Sequence, residues 1–379
     1  MKIGMLTLPF NNNYGGYLQA YALMTVLKGM GHDVELIYRK HNYRPLSLRI
    51  KYFIKTWVKC LLGQKHELFI MDQEKELRYK GQALMPFVDK YIAPKTIPLF
   101  STAQLRKECK GKYDAIVVGS DQVWRPDYVP NIENFFLDFI DNPQILKLSY
   151  AASFGTSSPI YSDKEKRICG DLIKKFDAVS VRERSGVDVI CNFGWSNGCE
   201  EVVLDPTMLL DLKSYEQFII PSNEEDYAVA YILDMDEDKE CGLRDIAREL
   251  ALPMKNLSLS GTRTTNFIVI RRYKNIDISM EMWLSCLHNS KFIVTDSFHG
   301  AVFSILFKRD FIVYANQERG VDRLSSLLKT FNIENRMILD KNGIEELLHK
   351  KIDWEIVNER LEIDKMHSMS FLRKVLGEQ

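Results

Sequence analysis

Through most of the chain, short apolar runs alternate with stretches whose apolar positions fall three or four residues apart. Lys2–Leu8 is the first run and predicts a strand. A polar, glycine-bearing turn follows, after which Leu18, Tyr21, Ala22 and Leu27 recur at helical spacing. Gly29 and Gly31 mark the end of that helix, and Asp33–Tyr38 predicts a second strand. In a parallel sheet this βαβ opening needs a right-handed crossover. Asp114–Gly119, Lys147–Ser153, Asp177–Val181 and Glu201–Leu204 predict further strands, with a helical pattern at Lys164–Phe176. An open, mostly parallel α/β sheet with helices on both faces follows.

Leu212–Asp226 breaks the rhythm with Pro221, Ser222 and Asn223 ahead of a run of acids. The alternation then restarts. Strands are predicted at Tyr227–Leu233, Lys255–Leu259, Lys291–Thr295 and Asp310–Tyr314, and helices at Lys239–Leu252, Ser279–His288 and Gly300–Phe307. The predicted organisation is a Rossmann-like domain over 1–214, a second over 215–345, and a charged helical tail over 346–379 packing back on the first domain. A length of 379 residues agrees, being too long for one ordinary core.

One segment departs from the pattern. Between Arg39 and Lys65 lie eight Lys or Arg residues and no Asp or Glu, while Leu46, Ile50, Phe53, Ile54, Trp57 and Leu61 keep helical spacing. This predicts a basic amphipathic helix inserted over 39–65. Such a helix can lie on an anionic membrane surface, but packing on its own domain with a solvated basic rim is the favoured expectation.

Composition narrows the function classes. Lys plus Arg equal Asp plus Glu at 51 each, so no overall charge draws the protein to nucleic acid. The seven cysteines are scattered without a Cys-x-x-Cys, which argues against a zinc site or a disulfide framework and suits a reducing cytoplasm. No leader pattern and no apolar stretch of membrane-spanning length is read, so the expectation is a cytoplasmic protein.

Candidate chemistry gathers where strands end. Asn13, Tyr14, Gly15 and Gly16 join the first strand to the first helix, where backbone N–H groups suit anions. The turn lacks the Gly-x-Gly-x-x-Gly fingerprint and a Walker lysine, so dinucleotide or NTP binding is unsupported. Asp121 follows a buried-type strand and could act as a base toward a hydroxyl or cap a following helix. Arg182, at the end of the next-but-one strand, could clamp a carboxylate or phosphate, or pair structurally with Glu183. Thr295-Asp296-Ser297-Phe298-His299-Gly300 joins a buried strand to a helix, placing His299 where a proton donor or acceptor meets an anion-favouring helix start. Lys308, Arg309, Arg319 and Arg323 are cations in the following turns.

These segments, in this order, resemble the polysaccharide pyruvyl transferase family. The matching pieces are Asn13 to Ala20, Gly119-Ser120-Asp121-Gln122-Val123-Trp124, Ser180-Val181-Arg182-Glu183, Leu204-Asp205-Pro206-Thr207 and Ser297-Phe298-His299-Gly300. The resemblance implies a two-domain, glycosyltransferase GT-B-like fold with the active site in the central cleft. It implies a bacterial enzyme that moves the enolpyruvyl unit of phosphoenolpyruvate onto two sugar hydroxyls of a glycan or lipid-linked oligosaccharide. The product is a pyruvate ketal, and phosphate is released. It assigns the general acid to His299 and donor binding to Arg182; Asp121 is expected to activate the acceptor hydroxyl. No cofactor beyond the donor substrate is implied, and no metal-ligand spacing occurs. Many family members carry an arginine two residues before the histidine, where this chain has Ser297. Another cation, Arg319 or Arg323, then substitutes, or the donor differs. The alternatives are a glycosyltransferase using a sugar nucleotide on the same architecture, or a non-catalytic glycan-binding relative.

Overall fold

A computed structural model describes residues 1–10, 13–43, 45–61, 83–222, 225–257, 278–316 and 320–377. The polypeptide forms two parallel sheets, each flanked by helices. In the first, β1 (Lys2–Leu6), β2 (Asp33–Leu36), β3 (Ala115–Asp121), β4 (Leu146–Ala152), β5 (Ala178–Val181) and β6 (Glu200–Val202) lie in the order β2-β1-β3-β4-β5-β6. The register runs Ile3 opposite Ala115, Ala115 opposite Leu146, and Val179 opposite Glu200. Every residue of β3 is buried, as a central strand covered on both faces requires. The helices of this half are α1 (Tyr14–Gly29), α2 (Leu46–Leu61), α3 (Met85–Tyr91), α4 (Thr102–Cys109), α5 (Asp163–Ile173) and α6 (Arg184–Asn192).

After α7 (Lys213–Glu216) the second sheet begins. Its strands β7 (Ala228–Tyr231), β8 (Met254–Asn256), β9 (Phe292–Thr295), β10 (Asp310–Tyr314) and β11 (Met337–Ile338) lie in the order β11-β10-β9-β7-β8, all parallel. Around it stand α8 (Glu237–Glu249), α9 (Met280–Asn289), α10 (Phe298–Leu306), α11 (Val321–Thr330) and α12 (Ile344–Leu348). The chain closes with α13 (Trp354–Leu376), which returns to the first sheet. There Ser368 Oγ accepts from Leu204 N at 2.9 Å, and Phe371 lies against Tyr150.

The two halves share apolar packing. Ile3 and Leu18 of the first and Val229, Trp283 and Phe303 of the second belong to one continuous buried cluster. Tyr14 enters this junction from the start of α1, stacking on Trp283 at 5.1 Å and donating its hydroxyl to Ile278 O. Burying Tyr14 costs little because its hydroxyl finds that partner, whereas the buried indole N–H of Trp283 has none among the described residues and the ring is held by stacking.

The element boundaries differ from the sequence expectations in instructive ways. β3 continues to Asp121 because Asp121 still pairs with Ala152 of β4. α10 starts at Phe298, ahead of the expected Gly300, because Ser297 caps it with a side chain that accepts from Gly300 N. The favoured expectation for the basic helix is not met among the described residues. α2 forms over Leu46–Leu61 of the expected 39–65, of which 44 and 62–65 lie outside the described residues, and Leu46, Ile50, Phe53, Ile54, Trp57 and Leu61 are all exposed.

Candidate functional site between the two sheets

The carboxyl ends of the parallel strands face one another across the junction, which is where open α/β sheets receive ligands. β3 delivers Asp121, the turn after β5 delivers Arg182 and Glu183, and the segment after β6 delivers Asp205. From the second sheet, the first turn of α10 delivers His299 and the first turn of α11 delivers Arg323. All six side chains are buried.

Arg182 is the centre of this cluster. Its guanidinium donates to Asp205 Oδ2 at 2.8 Å and to Asp121 Oδ1 at 3.2 Å, and its Nε lies 3.6 Å from Glu183 Oε2. The guanidinium also lies 4.0 Å over the ring of Phe298, the first residue of α10. The structural-pairing reading of Arg182 is thereby refined: it pairs chiefly with Asp121 and Asp205 and less closely with Glu183. The capping reading of Asp121 is corrected. No helix follows it directly, its φ is 73°, and its carboxylate faces Arg182. Asp is among the few non-glycine residues that tolerate such a left-handed backbone.

Asp205 ties the cluster together. Oδ2 takes Arg182 and the Ser120 hydroxyl at 3.2 Å and faces His299 Nε2 at 3.6 Å, while Oδ1 accepts from Thr207 N and Thr207 Oγ1. Burial alone would push this carboxyl up. His299, Arg182 and Thr207 outweigh it and hold Asp205 well below the usual carboxylate range. Glu183 goes the other way: burial raises it despite Arg182, Ser153 and Arg323. Burial lowers the Arg182 guanidinium, yet Asp121, Asp205 and Glu183 reverse that and raise it. Arg323 is pushed down to about 10 by burial and by the repulsion of Arg182, with Asp121 and Glu183 opposing.

His299 is held by shape as well as charge. A Cβ on Gly15 would lie 1.9 Å from its Nδ1, so only glycine at the second position of α1 lets the ring come this close. Its Nε2 points into the cluster, buried and without a hydrogen-bond partner, as does Asp121 Oδ2. Buried polar atoms left without partners mark places where a ligand or water completes the set. Beside Arg182 a cavity of about 220 Å³ opens between the chain after β6, α11 and α13. Arg182, Asp205 and Phe298 form its near wall, and Asp364, His367 and Ser368 its far wall.

The remaining sequence candidates fall into three groups. Arg323 joins the cluster, whereas Arg319 lies outside the described residues. Ser297 caps α10, and Tyr14 anchors the junction between the sheets. Asn13 precedes α1 at the N-cap position without a side-chain cap bond, and no Cβ on Gly16 would come nearer than 3.6 Å to anything. The sequence reading gave no role to Asp205 or to Gln19. Gln19 accepts from Ser120 N at 3.0 Å and donates to Thr7 Oγ1, fixing the end of β3. Asp205 carried one local signal, an Asp-Pro-Thr turn. That signal reads as a cap, and Asp205 does cap Thr207 N.

A sequence model described as polysaccharide pyruvyl transferase matches residues 13–318. No curated protein matches the chain. Among solved structures, the UDP-GlcNAc 2-epimerase of Methanocaldococcus jannaschii superposes with a TM-score of 0.53 at 13% identity, over 97% of this chain and 99% of that one. Another UDP-N-acetylglucosamine 2-epimerase gives 0.54 at 10% identity, over 99% and 95%. MnaA of S. aureus, in a structure with UDP, gives 0.51 at 11% identity, over 100% and 97%. At these identities the likeness shows the fold, the two-sheet GT-B architecture, and leaves the chemistry to the residues of the site.

Proposed function

The chain belongs to the polysaccharide pyruvyl transferase family, and from that membership we propose that it moves the enolpyruvyl group of phosphoenolpyruvate onto two hydroxyls of one sugar. The acceptor is a cell-envelope or exopolysaccharide glycan, free or lipid-linked. In the reaction one hydroxyl adds to the enol carbon while the methylene carbon gains a proton. The second hydroxyl then displaces phosphate from the same carbon and closes the ketal.

The observation that carries this reading is His299 Nε2, buried without a hydrogen-bond partner against the carboxylate that also fixes Arg182. A carboxylate facing an imidazole orients the ring, and a positioned imidazolium is the group needed to protonate the methylene carbon. Asp121 Oδ2, also without a partner, serves as base toward the first hydroxyl. Arg182 is committed to Asp205 and Asp121 and acts as a fixed positive field behind the donor carboxylate. Arg323, approaching from the second sheet, takes over the phosphate contact that the family arginine would make at Ser297.

A cytoplasmic site of action is part of the same proposal, supported by scattered cysteines that suit a reducing compartment.

Thermal unfolding with phosphoenolpyruvate and with a panel of sugar nucleotides tests the donor. At about 100 times its Kd a ligand adds roughly 2.7 kcal/mol of stability. Phosphoenolpyruvate is expected to raise the Tm of the wild type and to lose that effect in Arg323→Gln. A rise with a sugar nucleotide and none with phosphoenolpyruvate would replace this donor.

A further inference from the structure

We infer that α2 is a docking helix for an anionic lipid bilayer. It has 16 residues, and each residue whose burial is described is exposed or half-exposed. A surface helix of a globular protein ordinarily turns its apolar stripe to the core. Here Leu46, Ile50, Phe53, Ile54, Trp57 and Leu61 share one side of the helix and face solvent, Trp57 being 57% and Leu61 73% exposed. A contiguous apolar patch of this kind marks a surface that something else covers.

Charge selects the occupant. Lys55 stands opposite the apolar stripe and Arg49 and Lys51 flank it, while the whole segment 39–65 contains no acidic residue. A second copy of the chain would bring like charges together with no acid in the segment to pair them. Anionic headgroups provide a continuous counter-charge, and a basic amphipathic helix lies in that interface with its apolar face sunk into the acyl boundary. At about 1.5 Å per residue the helix offers a footprint roughly 24 Å long.

The root of the helix is fixed to the body. Arg39 is buried, donating to Asn134 Oδ1 at 3.1 Å and to Asn42 Oδ1 at 2.7 Å, and Tyr43 stacks on Phe100 at 4.0 Å. Asn42 in turn donates to Pro130 O. This root follows β2, whose carboxyl end lies on the same edge of the sheet as Asp121 and Arg182. Bilayer contact through α2 therefore brings the cleft side of the first sheet toward the lipid. The docking itself stands without the proposed reaction; the consequence that the acceptor is lipid-linked rests on it.

The full chain is mixed with phosphatidylglycerol vesicles or phosphatidylcholine vesicles, and binding is read by co-sedimentation and tryptophan emission. Of the tryptophans, Trp124, Trp195 and Trp283 are buried and Trp354 half-buried, so a blue shift on binding reports Trp57. Binding to phosphatidylglycerol vesicles, weakened by salt, with a blue shift absent from Trp57→Phe, is expected. Reversing Arg49, Lys51 and Lys55 to Glu is expected to lower partitioning by roughly 100-fold or more, at about 1 kcal/mol per basic residue. These positions are exposed or half-exposed, so the variant keeps the wild-type Tm and any Tm shift with phosphoenolpyruvate. Absence of binding to phosphatidylglycerol vesicles would overturn the inference. So would binding that charge reversal leaves unchanged, or a concentration-dependent dimer that hides Trp57 in place of vesicle binding.

Discussion

Asp205 and Glu183 are both fully buried carboxyls touching Arg182, yet they act on stability in opposite senses. Asp205 is held below the usual range, so its stabilisation is complete above its unfolded value near 4 and is lost as pH falls toward the strongly acid range. Glu183 is raised, so the stability it gives when protonated is complete below its unfolded value and is lost as pH rises from there through its folded value. Asp205→Asn is expected to lower the urea-unfolding free energy at pH 7 by about 3–5 kcal/mol, because it leaves buried cations without their partner. It should also flatten the acid limb of the stability curve. Glu183→Gln keeps the shape and the Ser153 contact and is expected to raise the urea midpoint at pH 7 while leaving it unchanged at pH 4. Equal responses of the two variants would mean that the cluster does not divide its charge this way. At the site, His299→Gln is expected to lower kcat by roughly 10²–10⁴-fold with little change in Tm, the loss of a general acid. His299 was legible in the sequence because its residue type and its place after a buried strand both pointed to chemistry. The role of Asp205 was not, because what defines it are an arginine from the next strand and a histidine from the other sheet, and no local pattern encodes either.

At the scale of elements, the start of α10 separates two jobs that one turn could hold. Ser297 accepts from Gly300 N and His299 faces the cluster. Ser297→Ala is therefore expected to cost about 1 kcal/mol of stability, the loss of an N-cap, with KM for the donor unchanged. A tenfold rise in that KM would make Ser297 a ligand contact after all. The alternation of strand and helix was readable throughout, since buried parallel strands give short, nearly continuous apolar runs. Amphipathic spacing also found α2 at its true place. Spacing records which side of a helix is apolar and says nothing of what covers it, so the exposure of α2 needed the fold. The end of β3 was misjudged for a related reason: Gly119, Ser120 and Asp121 look like a turn, and the pairing of Gly119 and Asp121 with β4 keeps them in the sheet.

Across the whole molecule, the halves meet at a second point beyond the apolar junction. A Cβ on Gly320, just before α11, would lie 1.9 Å from the carbonyl oxygen of Gly155, and Ser157 N donates to Asp322 Oδ2 at 3.0 Å. Arg323 reaches the cluster from this contact. Gly320→Ala is expected to hold the halves apart there, with kcat reduced at least tenfold and far-UV circular dichroism unchanged. Full activity would show that the reaction tolerates a looser approach.

The return of α13 to the first sheet has a mechanical result. The chain passes from the first half to the second after α7 and comes back at α13, where Arg360 donates to Thr330 O on one side and Lys365 pairs with Asp211 on the other. A single tether would let one half swivel in any direction. Two tethers remove much of that freedom, and the shared buried core removes more, so His299 and Arg323 are held opposite Arg182 by connections at both ends of the second half.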